Sequence, residues 1–352
     1  MRSYTISFLC LFFFFYDIQA QSDSAKVFQY QVYVEAFYAY DFNNPVGNTR
    51  PENIFFNHSR HNEFNVNLAL LELDYHPEKY RLHLGLMGGT YPEVNGAAEP
   101  TLLRLIYEAY AGIKIVNGLW LDAGVFLSNI GLETPKTIDN YTLTRSLGAE
   151  TSPYYLSGIR LSYQPNEKWN LNAILSNGWQ NIRENNDNKA LSLQINFKPN
   201  AHWEFNSSSF YGKEGPNEAL ATRLYHNFYM QFLPEGKLSG VLGFDWGAQE
   251  RRNEEGWDNW LTPYAILKYQ FSPKFSLAAR YEYFEDPGEI QIASPDPAHG
   301  FQTHTYSLNL NFQPLPNTLL SLEGRHFISD FQAFLVDPDL NLLEKQSFSL
   351  TG

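Results

Sequence analysis

Apolar side chains recur at every second position along much of this chain. In residues 29–41, Tyr30, Val32, Val34, Ala36, Tyr38 and Tyr40 share one phase and Gln29, Gln31, Glu35 and Asp41 the other, where Tyr33 and Phe37 are exceptions. Tyr80, Leu82, Leu84 and Leu86 alternate with Arg81 and His83; Ala109, Ala111, Ile113 and Ile115 with Glu108 and Lys114. Leu191, Leu193, Ile195 and Phe197 alternate with Ser192, Gln194 and Asn196, and residues 302–312 set His304, Tyr306, Leu308, Leu310 and Phe312 against Thr and Asn neighbours. A period of two places such sets on opposite faces of a strand. Residues 64–75 shift phase near Leu70 and Leu71, which predicts a β-bulge there.

Between these segments a turn signature returns: an aromatic, any residue, then proline. It occurs at Tyr75-His76-Pro77, Tyr163-Gln164-Pro165, Phe197-Lys198-Pro199, Phe232-Leu233-Pro234, Phe271-Ser272-Pro273 and Phe312-Gln313-Pro314. Proline has no amide hydrogen for a β-ladder and belongs in the turn. Asn117-Gly118 supplies a seventh turn with the residue pair that hairpins favour. From Pro165 onward successive prolines lie roughly 35 to 40 residues apart, room for two strands of about 10 residues and one longer loop.

The polar phase is mostly Ser, Thr, Asn and Gln. A soluble sandwich or barrel turns its polar face to bulk water and would carry more Lys and Glu there; a hydrated lumen would not. The sequence therefore predicts an all-β fold: an antiparallel transmembrane β-barrel of about sixteen strands, with short periplasmic turns and longer outer loops.

Composition sharpens this picture. The chain has 23 Tyr and 27 Phe yet a mean hydropathy of −0.37, a combination that suits two-faced strands better than apolar helices. The formal net charge of −13 argues against a nucleic-acid partner. Arg2, the apolar run 6–16 and Ala20 follow the order of an export signal, expected over residues 1–20, with a single barrel domain over 21–352. Cys10, the only cysteine, falls inside that signal, so disulfides and thiolate chemistry are excluded from the mature chain.

Specific motifs add a resemblance. Tyr38-Ala-Tyr-Asp-Phe-Asn and Asn57-His-Ser-Arg-His-Asn-Glu-Phe-Asn-Val-Asn-Leu-Ala, then Gly88-Gly-Thr-Tyr, Ala98-Glu-Pro, Tyr107-Glu-Ala-Tyr-Ala-Gly, Leu119-Trp-Leu-Asp-Ala-Gly, Asn129-Ile-Gly, Pro153-Tyr-Tyr and Asn177-Gly-Trp-Gln resemble the OmpL-like β-barrel porin family, met often in Bacteroidetes. The likeness is dense in the first half and continues afterwards as strand rhythm. It implies an outer-membrane location and passive transport rather than a reaction. Many outer-membrane barrels end on an aromatic residue; this chain ends on Gly352, which leaves the register of its last strand open.

Candidate residues follow from the barrel reading. The wall positions Arg81, His83, Glu108, Lys114, Asp122 and Arg160 are expected to line a pore. The long loop 127–153 carries Glu133, Lys136, Asp139 and Arg145. By analogy with general porins it folds inward and constricts the channel; alternatively it is a solvated surface loop. His58, His61 and Glu63 could suggest a metal set, but sequence proximity supplies no convergent geometry, and a loop anchor built on Arg60 and Glu63 is the preferred reading. No metal or cofactor is expected.

Three classes of function remain. A diffusion channel for small hydrophilic solutes comes first, because about sixteen strands enclose water rather than a packed core. A barrel hydrolase assembled from scattered Ser, His and acidic residues comes second, and a surface adhesin or receptor third. Membrane lipid and lipopolysaccharide are the expected surroundings. A homotrimer is compatible with the architecture, although nothing in the sequence marks a subunit interface.

Overall fold

The computed structural model describes residues 27–51, 54–252, 254–296, 298–337 and 342–352; the expected export signal lies outside them. Wherever the sequence alternates, strands form: β1 (Phe28–Asp41), β2 (Phe64–Tyr75), β3 (Tyr80–Gly88), β4 (Ile106–Val116), β5 (Leu119–Leu127), β6 (Tyr155–Asn166), β7 (Trp169–Ser176), β8 (Ala190–Asn200) and β9 (Trp203–Glu214). They continue with β10 (Ala221–Phe232), β11 (Leu238–Glu250), β12 (Trp257–Ser272), β13 (Phe275–Asp286), β14 (Phe301–Phe312), β15 (Leu320–Ile328), β16 (Phe334–Asp337), β17 (Leu342–Glu344) and β18 (Gln346–Thr351). From β1 to β15 each strand pairs antiparallel with the next, and β18 joins β15 to β1 to close a sixteen-stranded barrel; β16 and β17 form a separate hairpin. Closing the ring pairs backbone groups that lipid could not satisfy.

Seven short turns follow the seven signatures, at 76–79, 117–118, 167–168, 201–202, 233–237, 273–274 and 313–319, but Pro165 and Pro199 stand in the last residues of β6 and β8, at breaks in the ladder, rather than in the turn itself. Rings gather beside them, as in Trp169 stacked on Phe197 at 4.2 Å and Phe275 on Phe312 at 4.5 Å. Such amphipathic rims mark the membrane–water boundary. The opposite end carries the long connections, among them α1 (Thr90–Asn95) and α2 (Leu147–Glu150).

The two phases separate as their chemistry requires. Tyr30, Val32, Val34, Leu82, Leu84, Leu193, Ile195, Leu308 and Leu310 are exposed on the outer face, whereas Asn206, Ser208, Asn227, Thr305, Asn309 and Ser349 are buried inside. Tyr33 and Phe37, the two rings on the polar phase of β1, also find inner partners. Tyr33 donates to Glu35, and the ring of Phe37 meets that of His58 edge-on at 5.1 Å. Gly247 faces Trp260 across the β11–β12 ladder, and a Cβ there would stand 2.0 Å from the indole, so glycine makes space for that buried ring.

Two sequence expectations shift. The bulge of β2 is at Asn67 rather than near Leu70 and Leu71, because Glu35 pairs with Leu68 and Ala36 with Val66. Asn67 is the inserted residue, and its amide donates to Glu35 and Asn57. Leu68 and Leu70 turn inward not by slippage but to pack with Met87, Tyr91 and Tyr107 beneath α1. The register of β18, open in the sequence, is set by Ala39 to Asp41 against Thr351 to Ser349, with Tyr38 and Gly352 exchanging backbone bonds of 2.7 and 2.9 Å.

Candidate functional site

Consecutive strands of a barrel present their inward side chains in rows, and one row carries charge. Arg81, Gly112, Asp122 and Arg160 are register partners across β3, β4, β5 and β6. Gly112 makes the row possible, since a Cβ there would lie 2.0 Å from the Asp122 carboxylate. Arg81 grips Asp122 with two nitrogens at 2.6 and 2.5 Å, and Arg160 reaches the same carboxylate at 3.0 Å. Paired forks of this kind hold both guanidinium planes still. Trp120 lies 4.6 Å from the Arg81 guanidinium, and Tyr110 lies 4.8 Å from that of Arg160. One row towards the outer end, His83 stacks on Tyr110 at 5.4 Å; Glu108 follows it, and Lys114 stands opposite Trp120 on the other side of the charged row. All six expected wall residues thus share one inner patch.

The long loop crosses the lumen to the far wall. Main-chain groups removed from water need partners, and here wall side chains supply them. Thr144 N donates to Glu323 at 2.6 Å, Leu147 N to Glu282 at 2.6 Å and Leu143 N to Asn309 at 3.0 Å. Arg280 donates to the Thr144 carbonyl at 2.6 Å and Arg325 to that of Arg145 at 2.8 Å. Near its start Gly131 N meets Asn227 at 3.3 Å, and Thr137 N meets Glu35 at 3.1 Å.

The loop's own charges divide into two kinds. Lys136 sits between Glu72, at 3.1 Å, and Asp139, at 3.9 Å, and Asp139 is half exposed. Glu133 caps Ser146 N at 2.9 Å and faces Arg280 at 3.6 Å, almost wholly enclosed. Arg145 is fully buried and donates to the carbonyls of Thr134, Pro135 and Leu143, so it staples the loop's backbone instead of facing open space.

Sequence reading missed the far wall. Arg280 and Glu282 on β13 and Glu323 and Arg325 on β15 bracket β14, with Arg280 3.2 Å from Glu323 and Arg325 bonded to Glu282. A signal was present: two polar-phase pairs of opposite charge, two residues apart and in reversed order; Arg280 and Arg325 both stand level with Ser307 of β14, and each meets a carboxylate of the other strand on the diagonal.

Towards the outer end the lumen is not polar. Phe126, Leu156, Ile174, Phe210, Tyr225, Trp260, Phe284, Phe301 and Phe327, from nine strands, form an apolar ring on the inward phase. Ile54, Phe55, Leu147, Ile292 and Phe334 from the loops seat into it. Glu150 lies buried nearby, accepting from Phe56 N at 3.2 Å and from Tyr154 at 3.1 Å. Burial pushes its carboxyl up to about 7 against the pull of Arg145 and Arg325.

Arg60 and Glu63 pair at 2.8 Å, and Arg60 also donates to Thr49, which ties the first outer loop to itself at the threshold of β2. Bonds to the wall come from neighbours: Arg50 to Ser349 at 2.6 Å, and His58 to Glu35 at 2.7 Å. His61 accepts from Asp41 N at 2.9 Å, so His58, His61 and Glu63 each serve a different partner.

Known structures share this architecture. The outer membrane channel DcaP of Acinetobacter baumannii superposes with a TM-score of 0.60 at 11% identity, covering 92% of this chain and 96% of that one. An anion-selective porin from Comamonas acidovorans gives 0.57 at 8% identity over 92% and 98%. The outer membrane protein OmpT of Vibrio cholerae, in its trimer form, gives 0.55 at 10% over 92% and 98%. No curated protein matches the chain in sequence. The family model described as "Putative beta-barrel porin-2, OmpL-like" matches residues 28–350, and the chain belongs to that family of outer-membrane porins.

Proposed function

We propose that this barrel lets small hydrophilic solutes diffuse passively across the outer membrane, past the charged β3–β6 wall and beside the inward loop. The observation that carries the reading is the fixed row Arg81–Asp122–Arg160 on the wall, with a loop pinned across the lumen by Arg280, Glu282, Glu323 and Arg325. Immobile charge along a narrow passage selects ions by sign. Arg81, His83, Glu108, Lys114, Asp122 and Arg160 line the passage in this account. Lys136 and Asp139 face it from the loop, while Glu133 and Arg145 keep the loop's shape. The trimer form of the Vibrio cholerae protein supports a homotrimer here as well, which native mass spectrometry of detergent-extracted protein would test.

The reading is of a channel without catalysis. A serine–histidine pair does occur, Ser209 Oγ with His226 Nδ1 at 2.9 Å. It stands on the lipid-facing phase of β9 and β10, and no carboxylate bonds His226 among the described residues, so the dyad has no orienting acid. Conductance of the purified protein in planar bilayers tests the channel. The expected result is discrete steps whose ion preference moves towards cations in the Arg81→Ala, Arg160→Ala double variant; a sealed membrane, or an unchanged preference, counts against it.

A further inference from the structure

Glu72, His83 and Glu108 stand on the adjacent strands β2, β3 and β4, and their ligand atoms lie within 4.8 Å of one another. The imidazole is the informative member. Its Nδ1 is bonded to Asp74 at 2.7 Å, while its Nε2 is buried without a hydrogen-bond partner and only 7% of the side chain is exposed. That nitrogen points at two carboxylate oxygens too distant for hydrogen bonds, Glu108 Oε2 at 3.6 Å and Glu72 Oε1 at 3.9 Å. The other oxygen of each carboxylate is already engaged. Glu108 Oε1 accepts from Leu127 N at 3.0 Å, and Glu72 Oε2 meets Lys136 at 3.1 Å.

We infer that Glu72, His83 and Glu108 form a binding site for a divalent transition-metal ion, with Asp74 as the residue that orients the histidine. Metal bonds of about 2.1 Å in tetrahedral geometry set donors roughly 3.4 Å apart, near the 3.6 and 3.9 Å that separate Nε2 from the two carboxylates, and a trio within 4.8 Å needs only a small contraction to reach it. An Asp74 carboxylate accepting from Nδ1–H leaves the lone pair on Nε2, aimed at the centre of the trio, which is the arrangement that metal-binding histidines use. One nitrogen and two carboxylate oxygens suit Zn²⁺, and three protein ligands leave a fourth position for water. Gly85, between Glu72 and Glu108 in the same row, places no side chain between the carboxylates. Lys136 shares Glu72 with the site, so bound metal and the inward loop are electrostatically coupled.

The test uses the folded, untagged full chain in detergent, equilibrated with Zn²⁺ alone and assayed for bound metal after dialysis. One Zn²⁺ per chain is expected, lost in His83→Ala and in Glu108→Gln. Asp74→Asn should weaken binding about 10- to 100-fold. Heat-modifiable gel mobility reports whether each variant still forms a barrel. Cobalt(II) should give the intense visible bands of a low-coordinate site in the wild type and none in Glu108→Gln. Absence of stoichiometric zinc from the folded wild type overturns the proposal, as does its retention in both ligand variants.

Discussion

At the scale of single residues, the charges of the far wall are placed where another charge or a backbone group answers them. Arg280 is the sharpest case, because it stands between Glu282 and Glu323 and also holds the Thr144 carbonyl. Arg280→Ala leaves the buried Glu323 carboxylate without its cation and Glu282 with Arg325 alone, a change expected to cost about 3 to 5 kcal/mol in urea unfolding from lipid vesicles. Glu150 gives a pH dependence. Its carboxyl titrates near 7 in the folded protein and near the ordinary value, about 4.3, when unfolded. The folded state therefore binds the proton more tightly, and Glu150's contribution to loop seating is complete below that ordinary value and lost as pH rises through about 7. Protease sensitivity of the loop should rise over this interval, and Glu150→Gln should remove that component of the rise. Arg280, Glu282 and Glu323 did not stand out in the sequence, and Glu150 did so only as one more charge of the long loop. Arg145 did, yet its role as a staple for its own loop depends on carbonyls whose direction no residue pattern encodes.

Strands and turns were legible because their causes are local. Alternation decides which face meets lipid, and an aromatic followed by proline or an Asn-Gly pair decides where the chain reverses, so all seven turns could be placed before any contact was known. The bulge was misplaced by a few residues for a tertiary reason. Leu68 and Leu70 look like a phase error until the cluster under α1 accounts for them. Loops were the least legible elements, since their bonds run between distant segments. Tyr154 N meets Gln180, Gln180 reaches Asn95, and Asn57 bonds Tyr154, so the motifs that carried the family resemblance stitch one outer loop to another. Replacing residues 132–151 with a short Gly-Ser linker should raise single-channel conductance severalfold and weaken ion preference, because the replacement lacks both the bulk and the anchors. Equal conductance before and after would mean that the loop does not govern the passage.

For the molecule as a whole, the barrel solves two solvation problems with one alternating sequence. Outside, Leu308 near the middle of β14 is 56% exposed, to hydrocarbon in the membrane. Leu308→Arg is expected to cost about 2 to 4 kcal/mol at the bilayer midplane, measured by folding into vesicles, whereas the inward neighbour Asn309 makes its demand on the loop instead. Inside, the polar set predicted from composition is present, but the apolar ring at the outer end was not foreseen. Phe126, Phe210, Phe284, Phe301 and Phe327 share the phase of the serines and asparagines, and in isolation each reads as an irregularity.

The bonds that pin the inward loop also impose an order in time. Leu147 N and Thr144 N find their acceptors 135 and 179 residues further along the chain. Until the strands bearing Glu282 and Glu323 have joined the ring, those donors have nothing to meet. The loop can therefore seat only once β15 is in place, with one strand of the ring left to add, which makes its anchoring a late mark in biogenesis.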